Sequence, residues 1–293
     1  MNQPGMYGKI CLVTGANAGI GKATATGLAR MGATVVMVCR NPERGESARA
    51  EISAKTSSPN LDLLIADLSS QGSIRKLVRT FTSQYPQLHV LINNAGAITP
   101  RRRLTVDGIE TQFAVNHLAP FLLTNLLLDT LKESAPARIV TVSSQVHSKS
   151  PLDLDALRSD SDYTASQVYR KTKLANILFT YELARRLEGT GVVANCLHPG
   201  VIATKLLDHY MGGSHEAGFG SGESLGDSPE NGAAVVLHVA TSPEIDGLSG
   251  KYFYDNAVRE TAPVTYDEDH ARQLWDVSAN LTGLTSWPAP QYR

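Results

Sequence analysis

The feature that most constrains this chain is a hydrophobic period that keeps switching between that of a strand and that of a helix. Ile10-Cys11-Leu12-Val13 is a short apolar run closed by Thr14-Gly15. From Gly19 the apolar residues Ile20, Ala23, Leu28 and Met31 gather on one side of a helix that Gly32 stops. Thr34–Cys39 (TVVMVC) is again β-branched and apolar, and Asn41-Pro42 supplies an N-cap and an N1 proline for the next helix. Leu61–Ile65 reads as a third strand, and Ile74, Leu77, Val78 and Phe81 fall at i, i+3, i+4 and i+7 of a third helix. The alternation continues with strands at Val90–Ile92, Ile139–Val142, Val192–Leu197 and Tyr252–Tyr254. Between and beside them the pattern predicts helices over Val106–Leu131, Ala165–Leu187 and Glu230–Val239. Strands apolar on both faces and separated by helices call for a sheet covered on each side. The expected fold is α/β, a single-domain doubly wound parallel sheet of Rossmann type with helices on both faces.

No Pro/Ser-rich linker divides residues 1–293, so the chain reads as one domain. Its dinucleotide-binding half covers about 7–145 and its catalytic and substrate half about 146–255, followed by a C-terminal tail at 256–293. Two segments break the rhythm. Gln145–Ser161 is polar and reads as a surface excursion. Gly212–Gly226 carries six glycines in 15 positions without apolar periodicity, and is expected to act as a lid over about 205–228.

A formal net charge of −1 provides no general field for nucleic acid or anionic lipid. The run Arg101-Arg102-Arg103 beside Pro100 reads as a solvated loop. Cys11, Cys39 and Cys196 lie far apart in apolar runs, as buried reduced thiols do. The eight histidines, His117, His198 and His215 among them, show no metal-ligand spacing, so no metal is expected. The first nine residues are polar and lack a signal-peptide core. The apolar stretch Leu118–Leu131 is interrupted by Pro120, Thr124, Asn125 and Asp129, short of the about 20 apolar residues that span a bilayer. The expectation is a cytoplasmic protein with small-molecule partners, no nucleic acid and no membrane span.

Thr14-Gly15-Ala16-Asn17-Ala18-Gly19-Ile20-Gly21 lies between the first strand and the first helix. Glycines there let the backbone turn tightly and approach a pyrophosphate seated over the helix N-terminus. The same triplet also occurs in ordinary αβ loops, so its weight comes from the strand–loop–helix context. The second strand ends Val38-Cys39-Arg40-Asn41, where a ribose discriminator belongs. No carboxylate stands there to accept from a free 2′-hydroxyl, whereas Arg40 offers a cationic fork for a 2′-phosphate. This points to NADP(H).

Tyr169 and Lys173 are four residues apart on one predicted helix and therefore share a face. A phenol with an unperturbed pKa near 10 becomes a usable base at neutral pH only when a fixed cation favours its ionised form. Tyr-x-x-x-Lys is common as an exposed helical pair. Here, however, other polar residues collect at the carboxyl ends of strands: Ser143-Ser144, Asn93-Asn94-Ala95-Gly96 and Pro199-Gly200-Val201-Ile202-Ala203-Thr204, with Asn116 in the helix after Gly96. Ligands of open α/β sheets bind at that edge.

Over about residues 7–255 the chain resembles the short-chain dehydrogenase/reductase family, through TGANAGIG, Asp67-Leu68, NNAG, Asn116, Ser144, YRKTK and PG-x-x-x-T. VCRNPERG, HVLINNAGA and KLANILFTYELARRL are similar to its retinol dehydrogenase and WW-domain oxidoreductase branch. The resemblance implies that Tyr169 is the acid/base and that Lys173 lowers its pKa and binds the nicotinamide ribose. It implies that Ser144, in preference to Ser143, polarises the substrate oxygen, and that Asn116 holds a relay water. Gly15, Asn17, Gly19, Ile20, Gly21, Arg40, Asn41, Asp67, Leu68, Asn94, Ala95 and Gly96 are the implied contacts on the adenosine and pyrophosphate side. Pro199, Gly200, Ile202 and Thr204 would hold the nicotinamide. The implied activity is NADP(H)-dependent interconversion of a carbonyl, an apolar aldehyde or ketone, and its alcohol. Leu206, Leu207, Tyr210 and Met211 could form an apolar wall or a helix core face. Relatives pair through their two long helices, which makes a homodimer one expectation for the assembly. The extended-family epimerases favour a different glycine spacing, and nothing matches the pigment-binding insert of protochlorophyllide reductases. A catalytically weak NADPH-binding regulator or scaffold is the alternative from outside enzymology.

Overall fold

The computed structural model describes residues 5–149, 163–202 and 226–284. Its strands are β1 (Ile10–Thr14), β2 (Thr34–Cys39), β3 (Leu61–Ile65), β4 (Val90–Asn93), β5 (Ala137–Val142), β6 (Val192–His198), β7 (Tyr252–Tyr254) and β8 (Ala257–Val258). They form one sheet in the order β3-β2-β1-β4-β5-β6-β7-β8, parallel throughout except for the final β7–β8 hairpin. The order reverses between β1 and β4, the switch point at which open sheets leave a crevice.

Successive residues of a strand face opposite sides, and β1 shows why every one of them is apolar. Cys11 and Val13 pack on the side of α1 (Gly19–Arg30) and α2 (Pro42–Thr56). Leu12 packs on the side of α3 (Gln71–Gln84), where Ile74, Leu77, Val78 and Phe81 supply the expected stripe. The structure is thus the two-sided parallel sheet that the alternating period calls for. All three cysteines are free and buried, and burial pushes their thiols up, to about 12 for Cys11 and Cys196 and about 11 for Cys39. No helix among the described residues is long and apolar enough to cross a membrane.

The segment expected as one helix over Val106–Leu131 is broken instead. Leu104 bridges Glu110, whose carboxylate caps the next turn by accepting from the Phe113 amide at 2.8 Å. A short α4 (Thr111–Phe113) opens into a π turn (Ala114–Leu118), continues as α5 (Ala119–Leu126), and breaks at Leu127 before α6 (Leu128–Glu133). In the π turn the Ala119 amide reaches the Ala114 carbonyl, five residues back. Pro120 gives the reason for the position: it has no N–H to offer the Asn116 carbonyl, so the α register cannot be completed there.

Beyond the sixth strand, α7 (Ala165–Arg186) and α8 (Pro229–Thr241) match the expected helices to within two residues. The C-terminal region departs from the reading as a tail. It folds into β8, a short turn (Pro263–Tyr266) and α9 (Glu268–Thr282). The Asp267 side chain caps α9 by accepting from the Asp269 and His270 amides, and Gly283 ends it in the left-handed region at φ 64°. Ala271, Leu274, Trp275, Ser278 and Thr282 are its buried stripe, a helical signal legible in the sequence but not read there. Ala271 and Leu274 pack on Leu174, Ala175 and Leu178 of α7. The Trp275 ring lies 4.9 Å from Phe121 and 5.9 Å from Phe179, under the Arg186 guanidinium at 4.1 Å. The outer side of α7 is therefore covered from within the chain.

Trp275→Ala removes the largest side chain of this cover and should cost about 3–5 kcal/mol, as aromatic truncations in cores do. Urea unfolding of both proteins measures it, and Trp275→Phe should lose less.

Candidate dinucleotide and active site

The glycine loop is pressed against the start of the β4 loop. Thr14 ends β1 with its hydroxyl donating to the Ile92 carbonyl (3.2 Å) and accepting from the Asn94 and Ala95 amides, both at 3.0 Å. The Asn94 side-chain amide returns a hydrogen bond to the Thr14 carbonyl at 2.8 Å. This closeness dictates glycine at two places. A Cβ on Gly15, already at φ +68°, would stand 3.0 Å from the Ala95 Cα. One on Gly21 would stand 2.4 Å from both the Asn94 Nδ2 and the Gly15 carbonyl. The N-cap of α1 is Ala18, which makes no side-chain capping bond, so the first-turn amides have no side-chain competitor for an anion. A bare, open helix start beside a glycine-only cradle fits a dinucleotide phosphate.

Arg40 follows β2 and is exposed. Arg44, in the first turn of α2, acts electrostatically on the Cys39 thiol and so stands at the same strand end. It is a second cation that the sequence reading passed over, although VCRNPERG contains it. Asn41 caps α2 by accepting from the Arg44 amide at 2.8 Å, so its side chain is already committed. Asp67 Oδ1 accepts from the Ser69 amide (2.9 Å) and hydroxyl (2.7 Å) in a local turn. Leu68 faces the same small gap as Thr14, Ala95 and Val115, and Gly96 lies exposed in the loop beyond them.

Tyr169 and Lys173 sit one turn apart in α7, both buried, with Lys173 Nζ 5.4 Å from the centre of the tyrosine ring. Nζ donates to the Val142 carbonyl at 2.8 Å. Burial alone pulls the amine down to about 8. Two side chains hold this stretch of α7 in register. The Ser143 hydroxyl donates to the Lys173 carbonyl at 2.7 Å, which assigns that serine a buried structural task. Thr172 donates to the Tyr169 carbonyl at 2.7 Å and accepts from Asn116 Nδ2 at 3.2 Å. Asn116, fully buried in the π turn, clamps Ala97 from both sides: Oδ1 accepts its amide at 2.7 Å and Nδ2 donates to its carbonyl at 2.9 Å. The β4 loop, the π turn and α7 thus meet on one asparagine. Its side chain spends both amide hydrogens and one oxygen lone pair on these contacts, while its backbone carbonyl has lost its α-helical donor at Pro120.

Ser144 follows β5 and is half-buried, unlike its neighbour. Pro199 and Gly200 (φ +94°) follow β6, and Ile202 bridges Asp227 while packing on Gly232 beside Ile20. Thr204, His215, the wall Leu206–Met211 and the lid apart from residues 226–228 lie outside the described residues. His117 is packed among Phe113, Phe121 and Phe179, and its Nε2 lies 2.9 Å from the Ser278 hydroxyl of α9. His198, at the end of β6, stacks on Tyr254 at 5.1 Å, and burial first, then His147 and Lys173, push it down to about 4. No group of three or more metal-binding side chains occurs among the described residues. A cavity of about 1140 Å³ opens at the opposite sheet edge, beside Lys9, Val90, Ala137 and Val192. Lys9 directly precedes β1 and the others begin their strands, so that cavity lies at the end of the sheet away from the constellation above.

Residues 9–211 match the short chain dehydrogenase family. The chain belongs to that family and is an oxidoreductase acting on CH–OH or C=O groups. Its sequence is similar to human (Homo sapiens) retinol dehydrogenase 14, at 44% identity covering 95% of this chain and 88% of the relative. Among solved structures it is similar to a protein of Mycobacterium paratuberculosis, with a TM-score of 0.79, 32% identity and 98% of each chain covered. It also resembles Pseudomonas aeruginosa RhlG in an active-site complex with NADP, with a TM-score of 0.68, 25% identity, and 86% and 97% covered.

The buried amine has a stability consequence. Its depressed pKa means that the unfolded chain binds a proton more readily than the fold does between about pH 8 and 10.5. The cost of burying the charge is therefore full below pH 8 and is relieved as pH rises through that window. Cys11, Cys39 and Cys196, whose pKa values are raised, act in the opposite direction above pH 9. Comparing Lys173→Met with the unmutated protein isolates the lysine. In the dinucleotide-free state the stability gap in favour of Lys173→Met should shrink from pH 8 to 10.5 in urea-unfolding series.

Proposed function

We propose that the protein interconverts an apolar aldehyde or ketone and its alcohol using NADP(H), with Tyr169 as the acid/base. The observation that carries this reading is the pairing of Tyr169 with a buried Lys173 whose amine bonds Val142, two residues before Ser144 at the carboxyl end of β5. In reduction the Tyr169 hydroxyl gives its proton to the developing alkoxide, and in oxidation the phenolate takes it from the alcohol. Lys173, when charged, favours the phenolate and can bond the ribose hydroxyls in exchange for the Val142 carbonyl. The Ser144 hydroxyl polarises the carbonyl oxygen, while Ser143 is committed to α7. The Asn116 backbone carbonyl, which Pro120 cannot bond, is suited to hold the water that resupplies Lys173 with protons.

The residues present fit a dinucleotide. Gly15, Asn17, Gly19, Ile20 and Gly21 would frame its pyrophosphate, Asp67 and Leu68 its adenine, and Asn94, Ala95 and Gly96 its adenosine side. Arg40, with Arg44 and the Asn41 turn beside it, answers a 2′-phosphate. Pro199, Gly200, Ile202 and Thr204 would hold the carboxamide end. When bound, the nicotinamide supplies or accepts the hydride. The likeness to retinol dehydrogenase 14 supports an apolar alcohol, and RhlG supports the phosphorylated dinucleotide. The alternative of a binding-only regulator has no observation in its favour. Two copies of the chain would have to pair by some face other than the outer side of α7, which α9 covers.

NADPH should bind more tightly than NADH. Arg40→Ala should weaken NADPH by about 1.5–3 kcal/mol, the worth of a hydrogen bond to a charged group, and leave NADH nearly unchanged. Isothermal titration of both dinucleotides checks this, and equal affinities in the unmutated protein would sink the cofactor assignment. Tyr169→Phe keeps the ring and removes the titrating hydroxyl. It should abolish single-turnover reduction at an NADPH affinity close to that of the unmutated protein. Substantial residual turnover would move the acid elsewhere.

A further inference from the structure

His147 lies in the turn Gln145–Lys149 directly after Ser144, and it is buried with both ring nitrogens engaged. Nδ1 stands 2.7 Å from the Ser144 carbonyl oxygen, which can only accept, so Nδ1 carries the hydrogen. Nε2 stands 3.2 Å from the Ala262 amide, which can only donate, so Nε2 is the acceptor. Two such partners select one neutral tautomer. Tyr252 of β7 packs edge-on against the ring at 5.3 Å.

The far end of this contact is itself fixed to α7. Thr261, beside Ala262, reaches the Tyr181 hydroxyl of α7 at 3.0 Å and the Thr265 hydroxyl at 2.6 Å, and its amide donates to Tyr266 at 3.0 Å. Tyr266 in turn stacks on Tyr181 at 5.8 Å. The turn after Ser144 is thereby tied, through one imidazole, to the helix that carries Tyr169 and Lys173. Such a tie constrains the Ser144 backbone relative to α7.

We propose that His147 is a positioning residue for Ser144: as a neutral imidazole with hydrogen on Nδ1, it struts the Ser144 carbonyl against the Ala262 amide. The inference rests on the role proposed for Ser144. A doubly protonated ring has no lone pair for Ala262, so acid breaks the strut. Burial holds the ring's pKa below its ordinary value, and the hydrogen bond to Ser144 opposes that in part. Among the described residues, the ionisable groups that face it are His198 on β6 and Tyr252 on β7, with Lys173 of α7 acting on the same His198. None is a carboxylate, so no anion described there favours a charged ring. The strut stands intact at neutral pH and fails only in acid.

The test compares the unmutated protein with His147→Ala, His147→Gln and Ser144→Ala. Each is assayed for NADPH affinity, for Ala262 amide exchange, and for single-turnover reduction of the faster of retinal and straight-chain aldehydes. His147→Ala should speed Ala262 exchange and slow turnover roughly 10- to 100-fold, the scale of a reacting group displaced by about an ångström, at nearly unchanged NADPH affinity. His147→Gln keeps a donor and an acceptor without titrating. It should recover much of the rate and flatten the acid side of the rate profile below pH 6.5, the ordinary histidine value. An unchanged rate in His147→Ala beside a slow Ser144→Ala overturns the strut and leaves the serine's role standing. Parallel loss of NADPH affinity and rate in His147→Ala overturns it as well, because the histidine then serves general folding. Full turnover by Ser144→Ala removes the serine reading, and this inference falls with it.

Discussion

An amine at 2% exposure is the constraint around which the catalytic half is built. Dehydrating an ammonium is costly unless other groups replace water, and the pull of Lys173 down to about 8 expresses that cost. One replacement is the Val142 carbonyl, the last of its strand. A strand's terminal carbonyl is available to a helix residue because the parallel ladder ends there, and the next residue, Ser143, turns to fasten α7 from the other side. The same turn of helix is fastened again by Thr172 and Asn116. Moving Lys173 therefore means moving β5, the π turn and the β4 loop together. The amine is held by the architecture as a whole, and its neighbour Tyr169 inherits that placement.

The dinucleotide half obeys a simpler rule. Parallel strands end at one edge, and the reversal of order between β1 and β4 leaves their two outgoing loops diverging from a common point. Thr14 bridges these strands before they part, with one hydroxyl serving Ile92, Asn94 and Ala95. That contact brings the Ala95 backbone and the Asn94 side chain so near the glycine loop that Cβ atoms are crowded out at Gly15 and Gly21. The glycines of the loop thus answer to their own strand neighbours as well as to a phosphate.

What could be read without coordinates was what depends on local chemistry. The strand and helix periods, the Asn41-Pro42 cap and the glycine loop are each complete within a few residues, and outside Val106–Leu131 the structure has them close to where the pattern places them. The π turn was not legible, because Pro120 beside a long apolar run reads equally well as an N-terminal proline of a helix. The C-terminal helix carried a readable stripe, but its meaning lay in rings more than 90 residues away, Phe121 and Phe179. The partners of Asn116 and His147 are likewise distant in sequence, 19 and 115 residues off at Ala97 and Ala262. Residue types alone cannot state such contacts. The family resemblance named Asn116, but it assigned the water to it without distinguishing side chain from backbone.

Pairs of adjacent polar residues explain how the site can be both rigid and open. In Ser143-Ser144 the first hydroxyl is buried in a bond to α7, and the second is half-exposed after the strand. In Asn93-Asn94 the first amide bonds Thr124 within the core, and the second seals the glycine loop. In Thr172-Lys173 the hydroxyl locks the helix to the π turn while the amine reaches the Val142 carbonyl. In Asn116-His117 the asparagine clamps the β4 loop and the histidine reaches α9. Strand alternation sends neighbours to opposite faces, and helical geometry turns them by about 100°. A polar doublet at an element's edge can therefore bond the scaffold with one member and leave the other for chemistry. The scaffold member fixes the backbone of its neighbour to within the tolerance of a hydrogen bond. Its loss would loosen the placement of that neighbour.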